Sequence, residues 1–132
     1  MKVEQIYTGC LAQGAYYIVS NGEAAIIDPL REINPYLERA EKDNVKIKYI
    51  LETHFHADFV SGARELAAQG AQLYLSDMGD QHWKYAYADA NTKLLHDGDS
   101  WMLVNTCPAS PQLNSPSQGF VWSPNTPPNL TI

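Results

Sequence analysis

Two histidines spaced two apart, with an aspartate two residues further on, are the side chains of this sequence best suited to chemistry. They are His54, His56 and Asp58, in the run Glu52-Thr53-His54-Phe55-His56-Ala57-Asp58-Phe59-Val60-Ser61-Gly62. In an extended segment residues i and i+2 face the same side, so both imidazoles can converge on one point. Two neutral imidazoles and a nearby carboxylate suit Zn(II) or Fe(II), and the carboxylate either binds a second metal or orients a ligand from behind it. A surface His-x-His also arises by chance, and residue type alone leaves the two readings level. Position favours a site, because the pair lies just past the C-terminal end of a buried strand, where α/β layers present their ligands.

The elements that must place this loop follow from periodicity. Residues 3–7, 15–20 and 24–27 read as a β-meander, with Asn21-Gly22 as the hairpin turn, since both residues accept positive φ. Asp28-Pro29 ends the third strand. Asn34 offers an N-cap with Pro35 at N1, and Tyr36, Leu37 and Ala40 recur at helical spacing up to Asp43-Asn44. Residues 45–53 alternate, with Lys46 and Lys48 outward, and then turn continuously apolar at Tyr49-Ile50-Leu51, as a strand that becomes buried. Phe59, Val60, Ala63, Leu66 and Ala67 form a helical stripe with Gly70 at C′, which puts Asp58 at the start of that helix. Residues 71–75 are a further strand, 78–90 are aromatic-rich and ambiguous, and 94–104 suggest a hairpin. The order points to a layered α/β sandwich whose ligands project from strand-end loops.

The remaining reactive types have plainer readings. His82, among Trp83, Tyr85 and Tyr87, reads as a half-buried structural histidine, and His96 and the pair Asp97 and Asp99 around Gly98 read as turn residues. Cys10 and Cys107 are too few and too distant for a disulfide framework and read as free thiols.

With 132 residues, 45% apolar and 18% charged, the chain has room for one compact domain. A net charge of -6 argues against a nucleic-acid or anionic-membrane surface, and no run of about 18 apolar residues could span a bilayer. A cytoplasmic chain with small-molecule or protein partners is the expectation. Beyond Asp99 there is no Asp, Glu, Lys, Arg or His, and six of the eight prolines fall there. At ordinary charge content such a run has odds on the order of one in ten thousand. It reads either as a low-complexity tail or as a lost reading frame near Val104-Asn105, and the second is preferred. Two units follow: 1–104, and a charge-free, frameshifted or disordered stretch at 105–132.

Thr-His-x-His-x-Asp resembles the signature loop of the metallo-β-lactamase fold. The wider set Tyr7-Thr8-Gly9-Cys10-Leu11-Ala12-Gln13-Gly14-Ala15-Tyr16-Tyr17, Ala25-Ile26-Ile27-Asp28-Pro29 and Glu52 to Gly62 is similar to bacterial persulfide dioxygenases, including those fused to rhodanese domains. The resemblance covers residues 1–104 and implies the N-terminal part of a four-layer αββα sandwich, truncated and glyoxalase II-like. It implies one Fe(II), with Zn(II) the alternative, and oxidation of glutathione persulfide by dioxygen to sulfite. His54 then matches an iron ligand, and His56 and Asp58 match positions that bind metal in dinuclear relatives and support the site in iron enzymes. Asp28 matches a position near the metal cleft, where its expected role is to end the strand and hold the loop.

Two departures shape the expectation. Where most of the superfamily has a histidine after the motif aspartate, this chain has Phe59, which cannot ligate, so a second metal is disfavoured. The resemblance also calls for a later His and Asp as iron ligands, and no His follows His96 and no Asp follows Asp99. Three functions therefore compete: a mononuclear persulfide dioxygenase, a glyoxalase II-like thioesterase, and a non-catalytic remnant that binds metal weakly or forms a homo-oligomer. The remnant ranks first for the chain as it stands, and the dioxygenase first for its family.

Overall fold

A computed structural model describes residues 1–101 and 120–121. Six strands form one mixed sheet in sequence order: β1 Lys2–Thr8, β2 Gln13–Ser20, β3 Glu23–Ile27, β4 Lys46–Glu52, β5 Gln72–Ser76 and β6 Lys93–Leu95. The first three run antiparallel, as the meander reading requires, and Asn21 and Gly22 take φ values of 50° and 81° at the turn. From β3 to β6 every neighbour is parallel. Parallel strands need crossovers. The helices α1, Asn34–Lys42, and α2, Ala63–Ala68, lie in the β3–β4 and β4–β5 connections.

Both faces of the sheet bury apolar residues. On one face Ala24, Ile26, Ile50, Leu73 and Leu75 form a core with Tyr36 of α1 and with Ala63 and Leu66 of α2. The alternate residues Ala25, Ile27, Leu51 and Tyr74 form a second cluster on the other face with Ile18. A helical layer on a mixed sheet is the α/β arrangement expected from the sequence.

Three local expectations are corrected. The cap residue of α1 is Ile33, with no side-chain capping bond, so Asn34 is already helical and Pro35 alone supplies the start signal. The second helix begins at Ala63, not near Asp58: Ser61 bridges Leu30, and the Gly62 N–H donates to the Pro29 carbonyl at 3.0 Å, so the chain up to Gly62 is committed to the loop after β3. Within residues 94–104 no hairpin forms among the described residues, and 102–104 lie outside them. Leu94 and Leu95 pair with β5, while β7, Ser100–Trp101, pairs with β8, Phe120–Val121, in a separate two-stranded sheet. Most of 105–132, with Cys107, lies outside the described residues. No helix among the described residues is long and apolar enough to cross a membrane.

The close approach at Gly62 is a testable feature. A Cβ there would overlap the Leu30 carbonyl oxygen and stand 2.8 Å from Ile33 Cγ2. Gly62→Ala should destabilise the chain by roughly 1–3 kcal/mol through overpacking, read as a lower urea midpoint with unchanged slope.

Candidate metal site

The site is built where β3 and β4 end side by side. Ile27 pairs with Leu51, and the Asp28 N–H donates to the Leu51 carbonyl at 2.9 Å, so the residues just beyond both strands share one edge. Asp28 sits at φ 50°, a left-handed conformation that Asp tolerates better than most side chains, and it turns the chain out of the strand. Its carboxylate then accepts the Thr53 N–H at 2.7 Å on Oδ1 and the Thr53 hydroxyl at 2.5 Å on Oδ2. The buried Gln13 Nε2 donates to the Asp28 carbonyl at 2.7 Å and ties β2 to the same corner. The expected role of Asp28, ending the strand and holding the loop, is what these bonds do.

Asp28 also reaches the histidines. Asp28, His54 and His56 each offer a ligand atom, and the three atoms lie within 4.8 Å of one another. The imidazoles of His54 and His56 meet edge to face at 4.4 Å between centroids, so the i, i+2 reading of their orientation holds. Asp58 is exposed and outside this group.

His56 is gripped from behind by two carboxylates. Its Nε2 lies 3.2 Å from Asp28 Oδ1 and 3.0 Å from Glu52 Oε2, with its side chain 6% exposed. Glu52, 2% exposed, also accepts a short hydrogen bond from the Ser61 hydroxyl, which in turn accepts the Ala63 N–H at 3.0 Å. Glu52 Oε2 has no well-directed hydrogen bond, so its compensation is mainly the charge of His56 at close range. Burial lowers the His56 pKa, but its close contacts with the Asp28 and Glu52 carboxylates outweigh it and raise the pKa to about 9. Burial pushes Glu52 above the usual carboxylate range, against the pull of His56 and Ser61.

Aromatic rings frame the loop. Phe59 packs 4.2 Å from the His56 ring, and Phe55, between the histidines, stacks on Tyr85 at 4.2 Å and meets Trp83 at 6.2 Å. The ambiguous stretch 78–90 is thus a loop of turns that supplies a wall to the site. His82 is exposed beside Gln81 rather than half-buried, and Trp83 next to it is also exposed. His96 is in a turn closed by the Asp99 N–H on its carbonyl at 3.1 Å, as read.

Glu52, Thr53 and Ser61 also serve the site, although neither their type nor their spacing marks them as site residues. The context of Glu52 does carry a signal: a carboxylate closing a continuous apolar run must be paired, and His56 stands four residues on. Nothing comparable marks Thr53 or Ser61.

The donor set and the layered mixed sheet define an α/β protein with a candidate metal site at the ends of its strands. The sequence profile of the metallo-beta-lactamase superfamily matches residues 8–122, and the chain belongs to that superfamily. It is 33% identical over 75 residues to a hydroxyacylglutathione hydrolase of Pelagibacter ubique, covering 54% of this chain and 31% of that protein. A hydroxyacylglutathione hydrolase of Cereibacter sphaeroides is 34% identical over 77 residues, covering 55% and 30%. Among solved structures, a metallo-beta-lactamase from Staphylococcus aureus superposes with a TM-score of 0.75 at 34% identity, over 80% of this chain and 32% of that one. ETHE1 from Myxococcus xanthus superposes at 0.66 with 21% identity, over 79% and 44%, a likeness of fold. The chain spans about a third of the length of the curated relatives it matches.

Proposed function

We propose that this chain carries one limb of a mononuclear metal centre, with His54 and His56 as ligands and Asp28 as the nearby carboxylate. The observation that carries the reading is the convergence of those three groups within 4.8 Å. Two imidazoles and one carboxylate match in number the donors of a facial triad, and their nitrogen and oxygen chemistry suits Fe(II) or Zn(II). The Asp28 oxygens already hold Thr53, so its carboxylate serves the centre either directly or by bracing His56. With His56 Nε2 between two carboxylates, Nδ1 is the ring nitrogen left for a metal, an arrangement in which outer carboxylates orient a ligating histidine. Asp58 is assigned to a second metal position, which Phe59 deprives of its histidine.

The activity proposed for the complete site is oxidation of a thiol persulfide, such as glutathione persulfide, by dioxygen. Bound Fe(II) would supply open coordination positions for both reactants. The chain's own part is to hold two imidazoles rigidly, and to wall the site with Phe55, Phe59 and Tyr85 against water. A glyoxalase II-like thioester hydrolase is the second reading, favoured by the hydroxyacylglutathione hydrolases among the relatives. A cytoplasmic setting is proposed with either.

Metal content of the purified full chain, loaded anaerobically with Fe(II) and separately with Zn(II), tests the centre against a His54→Ala control. Near-stoichiometric metal lost in the control is the expected result. Failure of the wild type to retain either metal would sink the reading and leave the chain a non-catalytic remnant. Oxygen uptake with glutathione persulfide, set against cleavage of a glutathione thioester, separates the two activities.

A further inference from the structure

We propose that Thr53 is a positioning residue whose hydroxyl, held by Asp28, fixes His54 as the Nδ1–H tautomer and leaves Nε2 as its ligating atom. The inference rests on the metal-binding reading above for its purpose, but the tautomer is set by the metal-free chain.

A threonine hydroxyl has one proton to donate and lone pairs with which to accept. Thr53 Oγ1 lies 2.5 Å from Asp28 Oδ2, and a carboxylate only accepts, so the hydroxyl proton lies on that contact. The Thr53 N–H donates to the other oxygen of the same carboxylate at 2.7 Å, so one residue grips Asp28 at two points and its side chain has a fixed orientation. The same Oγ1 lies 2.8 Å from Nδ1 of His54. With its proton committed to Asp28, the hydroxyl can meet that nitrogen only as an acceptor, so Nδ1 bears the hydrogen. A neutral imidazole has one protonated and one basic nitrogen, and the partner of the first decides which nitrogen is free to ligate. Asp28 thereby braces both histidines, His56 by direct contact and His54 through Thr53. This is the outer-carboxylate device of metal-bound histidines, with a hydroxyl interposed.

The test uses the full chain labelled with nitrogen-15 at histidine. Imidazole nitrogen shifts are read without metal at about pH 8, above the ordinary histidine range, and His54 is assigned by its absence in His54→Ala. Wild type and Thr53→Ser should show protonated Nδ1 at His54, whereas Thr53→Val, which keeps the shape and loses the hydroxyl, should show a mixture of tautomers. Zn(II) affinity, measured by competition with a chromophoric chelator, should fall about 10–100-fold in Thr53→Val and stay close to wild type in Thr53→Ser. A wild-type His54 protonated at Nε2 overturns the proposal, and so does a folded Thr53→Val with unchanged tautomer and affinity. If circular dichroism shows Thr53→Val unfolded, the tautomer in wild type and Thr53→Ser still decides. A wild type with the Nδ1–H tautomer that takes no zinc supports the Thr53 assignment while overturning the metal-binding reading.

Discussion

Replacing Asp28 by alanine is expected to cost about 3–5 kcal/mol of stability and roughly 100-fold in Zn(II) affinity. Asp28 is buried, its side chain 11% exposed, and its carboxylate gathers the Thr53 N–H, the Thr53 hydroxyl and His56 Nε2. Truncation leaves those groups without their shared acceptor, in a corner where β2, β3 and the β4 loop meet. Unpaired buried donors lose the full cost of their desolvation, not the smaller net worth of a hydrogen bond. Alanine must also take the left-handed φ of 50°, which a side chain without a polar group tolerates poorly. Asp28→Asn separates these effects. It keeps the backbone preference and an acceptor for the Thr53 N–H but removes the charge that faces His56, so it should regain much of the stability and little of the metal affinity. Urea unfolding and chelator competition on both variants check this. If Asp28→Ala holds zinc as wild type does, the carboxylate has no part in the centre, and His54 and His56 must find their third donor elsewhere.

The contrast between what sequence shows and hides is sharpest around this residue. The β-meander was legible because Asn21-Gly22 leaves few alternatives at φ 50° and 81°, and β4 because its lysines alternate with apolar residues before the run at Tyr49. His54 and His56 were legible because a spacing of two in extended chain has one geometric consequence. Asp28 as a neighbour of those histidines came through the family resemblance and not through spacing, since only the parallel pairing of Ile27 with Leu51 brings residues so far apart together. The over-long second helix fails for a related reason. Phe59 and Val60 continue the helical stripe of Ala63 and Leu66, but Phe59 is spent against the His56 ring and Val60 is 61% exposed. A periodic pattern cannot tell an apolar residue that packs on a helical face from one that packs on a ligand loop. Thr53 and Ser61 are common polar residues, and their partners are defined only once the fold places two carboxylates behind the loop.

Those two carboxylates give the metal-free chain a pH dependence of known sign. His56 has an ordinary pKa of 6.5 and a folded value raised to about 9. Below pH 6.5 the imidazolium is present folded and unfolded, and its attraction to Asp28 and Glu52 stabilises the fold in full. Between 6.5 and about 9 the folded chain holds a proton that the unfolded chain has released, so stability falls as pH rises, and above that range the contribution is gone. Full conversion of the shift gives about 3 kcal/mol as an upper figure. Glu52→Gln removes one of the two charges and should flatten the profile, which distinguishes this pair from the titration of exposed groups. Metal acts in the opposite direction. A ligating imidazole must shed the proton that stabilises the empty site, so binding releases protons and strengthens as pH climbs towards 9. Unfolding midpoints of the metal-free and zinc-loaded chain between pH 6 and 9.5 should therefore diverge, the first falling and the second holding or rising. A flat metal-free profile would mean that His56 takes up no proton on folding, and that the two carboxylates beside it do not hold its charge in the fold.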